Sequence, residues 1–268
     1  MTIRRKAYIA EFLGTGLMVG FGLLAVAMFW ATSSPLADLG VGPGLRRLMT
    51  GFFFAGGATL IIYSPLGEIS GGHVNPSVTL AFRSLGKISA RDTLFYVFLQ
   101  LAGAVVGVGA LWLVLVQGLG WREAIVVGAT QPTDQLPIPL VFAAEVLITF
   151  LLMLTILIVS NRTRIMRLTP SFAGLVVMLE VWLEAPISGT SLNEARSLAP
   201  AIFAGVWRHH WIYVFAPIIG AQIAALAYRA IPRLPQVLCC KLYHTARYPC
   251  HMADCKLNVP KVEETATD

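Results

Sequence analysis

Two short polar segments, 70–77 and 188–196, interrupt strongly hydrophobic stretches of this chain. The first reads Ser-Gly-Gly-His-Val-Asn-Pro-Ser and the second reads Ser-Gly-Thr-Ser-Leu-Asn-Glu-Ala-Arg. Each places an asparagine, Asn75 or Asn193, at the start of a short apolar helical stretch. Polar backbone at membrane depth is stable only where protein buries it or where it lines a water-filled cavity. A repeated break of this kind therefore points to a pore.

The composition is typical of a protein with several membrane spans. Of its 268 residues, 56% are hydrophobic and only 13% are charged, which differs strongly from an average soluble domain. The formal net charge of +6 would suggest a nucleic-acid partner if it formed one patch, but the basic residues lie between the hydrophobic segments. We therefore expect the lipid bilayer, and no nucleic acid, as the partner of this chain.

Apolar runs of about 20 residues, the length of a membrane-spanning helix, predict six spans. They lie at 8–30, 45–63, 90–116, 139–160, 171–185 and 211–231. The interrupted segments 66–86 and 187–206 are each too short to cross the bilayer as a helix. They predict two re-entrant half-helices.

The two halves of the chain, about 8–116 and 139–231, follow the same plan. Each begins with a span that carries an early glutamate, Glu11 or Glu145, and each contains one asparagine-led half-helix. We expect these carboxylates to cap buried loop amides, since intramembrane carboxylates are functional candidates by default. Three spans in each half reverse the orientation of the second half. The predicted fold is an all-α membrane protein with an inverted repeat, in which the half-helices enter from opposite faces.

Lysine and arginine in the short loops predict the orientation of the chain. They concentrate on the side of both termini, at Arg4, Arg5, Lys6, Arg83, Lys87, Arg91, Arg162, Arg164, Arg167, Arg229 and Arg233. We therefore expect both termini to be cytoplasmic, in an integral protein of the cell (inner or plasma) membrane. Residues 1–231 form the predicted channel domain, and 232–268 form a cytoplasmic tail that we expect to be flexible. A cleaved signal peptide is the less favoured alternative, because Glu11 interrupts its apolar run.

These motifs resemble those of the aquaporin and aquaglyceroporin family, the major intrinsic proteins, and of its bacterial-type members, over residues 8–231. The resemblance rests on the Ser-Gly-Gly-His segment before Asn75, on the arginine that follows Asn193, and on the paired glutamates. The family usually carries Asn-Pro-Ala twice. Here the motifs are variants, with the residues Asn75, Pro76, Ser77 and Asn193, Glu194, Ala195. The resemblance implies a passive channel that is not an enzyme, has no cofactor, and assembles as a homotetramer with one pore per subunit.

The resemblance also implies which residues form the outer filter of the pore. They are Ala55, Val181, Thr190 and Arg196. Narrow water channels of the family typically carry phenylalanine and histidine at the first two places, and glycerol channels carry an aromatic with a small residue. Ala55 and Val181 fit neither pattern, so we expect a wide filter that passes water, glycerol, urea or undissociated metalloid hydroxides. The alternative is a strictly water-selective channel that Trp121 or Trp182 narrows from a loop.

The two asparagines have a physical role at the half-helix N-termini, where unpaired amides and the helix dipole concentrate positive potential. If Asn75 and Asn193 cap these ends, their NH2 groups face the lumen and donate to a passing water or hydroxyl oxygen. Cations and protons meet the positive ends of two helices. The arrangement is expected to conduct neutral solutes and to block charge.

Glu194 leaves two interpretations open. If its carboxylate faces the lumen, it offsets the positive potential and, with Glu180 and Glu184, opens an ion or proton leak or an ion-coupled transport path. If it points into the protein, it pairs with Arg196 or with local amides. An acidic residue in the first turn of a helix is stabilised by the helix dipole, so we expect the fold to tolerate Glu194 in either case. We favour the second interpretation.

Further candidates are a histidine and a group of cysteines. We expect His73, in the first polar segment, to be a packing or gating residue of the loop and not a metal ligand. The four cysteines all lie in the tail, at Cys239, Cys240, Cys250 and Cys255, with His244 and His251 between them. They are weak candidates for binding a soft metal or a trivalent metalloid. Their spacing matches no established zinc pattern, so we favour reduced thiols in a disordered tail.

Overall fold

A computed structural model describes residues 1–245, 247–252 and 254–257. Six helices in these residues are long and apolar enough to cross a membrane, which confirms the predicted all-α class. They are α1 (Ile3–Trp30), α2 (Pro43–Tyr63), α5 (Ala90–Trp112), α6 (Ile138–Ser160), α7 (Thr169–Ser188) and α9 (Ile212–Ala230), and α5 continues into a π-helical segment, Leu113–Gly118. Three shorter α-helices lie between them in the described residues: α3 (Pro65–Ser70), α4 (Pro76–Ser84) and α8 (Glu194–Ala204).

The first helix begins earlier than the apolar run predicts, at Ile3 and not at residue 8. The Thr2 side chain caps it by accepting from the Arg5 amide. Arg4 pairs with the Asp92 carboxylate at 3.3 Å. Polar contacts of this kind extend the helix beyond its hydrophobic part, which hydropathy alone does not register.

Packing between the helices follows the inverted repeat. The most extensive pairs are α1 with α5 in the first half and α6 with α9 in the second, which occupy equivalent places. Helices α2 and α7 pack on each other across the two halves. Each half-helix also packs against the other half, α4 on α9 and α8 on α5. The two repeats are thus interlocked and share one core.

Glycine allows the closest helix pairs to approach. A Cβ atom on Gly103 of α5 would lie 2.1 Å from the Phe12 carbonyl oxygen of α1. A Cβ atom on Gly220 of α9 would lie 2.3 Å from the Val146 carbonyl oxygen of α6. Small residues at such crossings let helix backbones touch in a membrane. Because Phe12 and Val146 follow the paired glutamates, these contacts position both carboxylates next to the half-helices.

The polar segments begin where α3 and α7 end in left-handed glycines. Gly71 has a φ of 106° and Gly189 has a φ of 86°, a conformation that glycine adopts without a steric penalty. Val74 and Leu192 then take positive φ values of 42° and 59°, which are uncommon for residues other than glycine. This repeated geometry turns the chain back into the membrane at the beginnings of α4 and α8.

The described part of the tail packs against the bundle, whereas its flexibility stays a prediction. Val237, Leu242 and Met252 are buried in the main core, and so are all four cysteines. Tyr96 of α5 contacts the His251 ring nitrogen at 3.2 Å, and burial lowers the pKa of His251 to about 3. The tail carries enough apolar side chains to cover the end of the bundle where α1 and α5 begin. Residues 246, 253 and 258–268 of the predicted flexible tail lie outside the described residues, and the domain boundary after residue 231 stays a prediction.

Candidate functional site

The two asparagines meet at the centre of the bundle, where they line the same cavity. The Asn75 Nδ2 donates to the Leu192 carbonyl at 2.8 Å, and the Asn193 Nδ2 donates to the Val74 carbonyl at 2.9 Å. Each asparagine is therefore held by the loop of the other half. A side-chain NH2 group has two hydrogens. One hydrogen on each asparagine remains for a solute.

The same asparagines cap the half-helices. The Asn75 Oδ1 accepts from the Ser77 amide at 2.8 Å, and the Asn193 Oδ1 accepts from the Ala195 amide at 2.9 Å. Pro76 occupies the first position of α4, where its missing N–H costs no hydrogen bond. The positive ends of α4 and α8 consequently point at the central cavity.

Glu11 fixes the first polar segment from α1. Its fully buried carboxylate accepts from the His73 amide at 3.1 Å and from the Val74 amide at 2.8 Å. The Gln100 Nε2 also donates to it, at 2.7 Å. Three donors on one carboxylate hold the strained turn that presents the Val74 carbonyl.

Glu145 does the same for the second polar segment from α6. Its fully buried carboxylate accepts from the Ser191 amide at 2.8 Å, from the Leu192 amide at 3.2 Å, and from the Ser188 hydroxyl. The Tyr213 hydroxyl donates to the Ser188 carbonyl at 2.7 Å. In the first half, Tyr96 donates in the same way to the carbonyl of Ser70 at 2.7 Å. The two halves therefore use matching hydrogen-bond networks.

Arg196 lies at the junction of two cavities. The outer cavity has a volume of about 290 Å³ and the central cavity a volume of about 80 Å³, and both are lined by Arg196 and Phe54. The guanidinium donates to the Gly128 carbonyl at 2.8 Å and lies 5.4 Å from the centre of the Phe54 ring. Val181 and Thr190 line the outer cavity, and Ala55 lines the central one. Of the predicted filter, Arg196 alone lines both of these cavities, and each of the other three residues lines one of them.

Phe54 is the functional candidate that the sequence reasoning missed. It directly precedes Ala55 on α2, and its ring packs against Gly22 of α1. A Cβ atom added at Gly22 would lie only 2.4 Å from this ring. Gly22 therefore leaves room for the aromatic ring beside Arg196. Trp121 and Trp182, which narrow the passage in the water-selective alternative, line neither of the two cavities.

Glu194 contacts the other half-helix and not Arg196. Its carboxylate accepts from the Ser77 hydroxyl and, at 3.1 Å, from the Ser77 amide. Only 7% of Glu194 is exposed, and it lines neither cavity. The two residues that depart from the Asn-Pro-Ala pattern, Ser77 and Glu194, are therefore bonded to each other.

The other two acidic candidates lie on α7. Glu180 and Glu184 are both buried, and the Thr190 hydroxyl donates to Glu184 at 2.6 Å. Within the part of the chain that the structure describes, the Glu180 carboxylate has no hydrogen-bond partner. Neither side chain lines the two cavities.

We expect the variants Ser77→Ala and Glu194→Ala to be coupled in stability. Each single substitution leaves one partner of the buried hydroxyl–carboxylate bond without the other, whereas the double variant removes both groups. The coupling should be about 1.5–3 kcal/mol, the usual contribution of a hydrogen bond to a charged group. It is measured as a double-mutant cycle on the free energy of unfolding in detergent.

A matched cycle of Ser84→Ala with Glu194→Ala provides the control. Ser84 lies at the other end of α4 and is exposed, and its hydroxyl contacts Gln222. Its effect should add to that of Glu194→Ala within a few tenths of a kcal/mol, about 0.5 at most. Additive effects of Ser77 and Glu194 would contradict the bridge.

His73 connects the first motif to the tail. It is 2% exposed, and its ring nitrogens contact the Thr79 hydroxyl at 3.0 Å and the Cys240 carbonyl at 2.9 Å. The ring stacks on Phe82, with 5.2 Å between centroids, and also lines the central cavity. A carbonyl can only accept, so the Nε2 that faces Cys240 carries a proton.

Interlocked inverted halves, two capped half-helices meeting at a cavity, and a fixed arginine define a membrane channel for small solutes. A family model described as "Major intrinsic protein" matches residues 2–228. The chain belongs to the major intrinsic protein family, whose members are channels and not enzymes.

Two curated relatives illustrate the range of this similarity. Aquaporin AqpM of Methanothermobacter marburgensis is 37% identical over 84% of this chain and 96% of its own length. The glycerol uptake facilitator protein-like 6 of Lactiplantibacillus plantarum is 34% identical over 84% of this chain and 98% of its own length. Relatives named as an aquaporin and as a glycerol uptake facilitator support a channel for water and small solutes.

A solved structure agrees with the fold. The aquaglyceroporin from Plasmodium falciparum superposes with a TM-score of 0.70 and 24% sequence identity, over 85% of this chain and 96% of that one. At this identity the likeness shows the fold alone. The family match ends at residue 228, so the packed tail lies beyond the part of the chain that the family model describes.

Proposed function

We propose that this chain is a passive channel with a permissive filter, which conducts water together with uncharged solutes such as glycerol, urea or undissociated metalloid hydroxides. The junction of the two cavities carries this proposal. Phe54 offers an aromatic surface to an alkyl chain, and Arg196 offers donors to hydroxyl oxygens. The small side chains of Ala55 and Val181 leave room beside them.

Charged solutes are rejected by three features along the same path. Arg196 places a fixed positive charge at the junction, and the positive ends of α4 and α8 point at the central cavity. Asn75 and Asn193 supply hydrogen-bond donors there and no counter-charge. Glu194 adds no side chain to this path, since it is buried against Ser77 and lines neither cavity. The geometry therefore favours neutral solutes over an ion-coupled cycle.

We further propose that the channel is an integral protein of the cell membrane, a homotetramer, and oriented with both termini in the cytoplasm. The excess of lysine and arginine in the loops on the terminal side supports this orientation. Large apolar side chains on the outer faces of the spans are exposed and match a surface covered by lipid or by other subunits; they include Leu17, Leu60, Leu94, Leu183 and Leu226.

Stopped-flow light scattering on proteoliposomes tests the selectivity. The wild-type protein is expected to accelerate water, glycerol and urea flux over empty vesicles, with a rate linear in the gradient. In Val181→His, a larger ring narrows the junction, so glycerol flux should fall roughly tenfold, about 1.4 kcal/mol in barrier, while water flux persists.

The matched control for this substitution is Leu183→Ala on the same helix, where the side chain is exposed on the outer face. It should leave all three fluxes unchanged. A wild-type protein that accelerates water alone would establish the strictly water-selective alternative. A sharply saturating flux would contradict a passive channel.

A further inference from the structure

The tail brings together four side chains that ligate metals. The Sγ atoms of Cys239, Cys250 and Cys255 and a ring nitrogen of His244 all lie within 4.8 Å of one another. All four residues are buried. They lie five or six residues apart in the sequence, so the tail folds back on itself to bring them together.

The geometry of this cluster matches a tetrahedral zinc site. Thiolate and imidazole are preferred zinc ligands, and three cysteines with one histidine is an established structural set. Two sulfurs bonded to one zinc at 2.3 Å with a tetrahedral angle lie about 3.8 Å apart. The Sγ atoms of Cys239 and Cys250 are 3.7 Å apart. This distance exceeds a disulfide bond of about 2.05 Å, and all the cysteines are free.

An unpaired nitrogen gives a second, independent indication. The Nε2 of His244 is buried and has no hydrogen-bond partner in the described residues. Buried polar atoms are almost always satisfied, and an exception requires an explanation such as an ion. A metal bound at this nitrogen supplies the missing partner.

We propose that Cys239, His244, Cys250 and Cys255 bind one Zn²⁺ ion per chain. Zinc is the borderline-soft cation that this donor set favours, and the closed set of four protein ligands indicates a structural role. The ligand set differs from the sequence prediction, because His244 takes the place of Cys240. The Cys240 backbone carbonyl accepts a hydrogen bond from the His73 ring.

The site holds a segment of the tail against the end of the central cavity. Between the ligands Cys239 and His244, the Leu242 amide donates to the Gly71 carbonyl at 2.9 Å. The Leu242 side chain lines the same cavity as the two asparagines. Zinc therefore fixes an apolar side chain at the cavity end opposite Arg196. This consequence for flux rests on the proposed channel function, whereas metal binding does not.

Metal analysis of the full-length protein, purified in detergent and incubated with Zn²⁺, tests the site. We expect one zinc per chain in the wild type and at least tenfold weaker binding in Cys250→Ala and His244→Ala. Cys240→Ala is the matched control, since it removes a buried neighbouring thiol outside the ligand set and should retain zinc. Equal zinc content in Cys250→Ala and Cys240→Ala would overturn the proposal.

A second measurement uses the unaltered chain and does not depend on the folding of variants. Alkylation of the wild-type protein is followed by mass, with and without Zn²⁺. Bound zinc should protect three thiols, those of Cys239, Cys250 and Cys255, and a chelator should restore their labelling. Labelling that is identical with and without zinc would overturn the site.

Glycerol flux through proteoliposomes, with and without a membrane-permeant chelator, tests the position of Leu242. Chelation should raise the flux at least twofold in the wild type and leave Cys250→Ala unchanged. Vesicles that hold zinc but show no flux at all would refute the proposed function and leave the metal site standing. A conducting wild type whose flux ignores the chelator would overturn the positioning of the tail by zinc.

Discussion

Replacing Glu145 with leucine is expected to leave little folded channel. The substitution removes the acceptor of the Ser188 hydroxyl and of the Ser191 and Leu192 amides, all of them buried. Each unsatisfied buried donor costs about 1–3 kcal/mol, so three of them approach the whole stability of an ordinary domain. Size-exclusion elution and the thermal midpoint in detergent measure the loss.

Three further variants test whether the loss of folded protein comes from the missing carboxylate and not from a general intolerance of α6 to substitution. Glu11→Leu should behave like Glu145→Leu, because it leaves three donors unpaired in the equivalent network. Glu145→Gln keeps one oxygen acceptor and should be intermediate. Leu147→Ala, at a residue 55% exposed on the same helix, should keep the wild-type midpoint. A Glu145→Leu protein that elutes and melts like the wild type would show that the carboxylate does not organise the loop.

The parts of the fold that are encoded locally were predictable from the sequence. Runs of about 20 apolar residues locate the spans, because a bilayer imposes that length on any helix that crosses it. The half-helices were predictable because asparagine, glycine and serine interrupt such runs. These residues indicate polar backbone, which is stable in a membrane only where protein buries it or where it lines a cavity. The family resemblance extended the prediction from the half-helices to a filter around Arg196, and the membership of that filter stays a prediction.

Contacts between distant segments were not predictable in the same way. The Ser77 to Glu194 bond joins residues 117 positions apart, and nothing local in either motif indicates it. Phe54 faces the pore because of the rotation of α2 and the space at Gly22. The tail has no long apolar run, so composition predicts flexibility, yet scattered side chains such as Leu242 bury well against the bundle.

Vesicles that contain Arg196→Val are expected to leak cations. The substitution removes the fixed charge at the junction of the two cavities and leaves an aperture bounded by Phe54 and Val181. A unit charge at about 4 Å contributes roughly 1 kcal/mol in water and 4 kcal/mol at an effective dielectric constant of 20. The leak should therefore rise between about fivefold and a thousandfold. A pH-sensitive dye inside the vesicles and an imposed potassium gradient measure it, while water flux persists.

Two arginine variants show whether charge at the junction, and not arginine in general, sets this barrier. Arg196→Lys keeps the charge and should stay tight to cations. Arg47→Val removes a partly exposed arginine that lines only the outer cavity and should also stay tight. If Arg196→Val folds, conducts water and leaks no more than the wild type, then the charge barrier does not lie at the filter. It would have to lie where α4 and α8 meet, between Asn75 and Asn193.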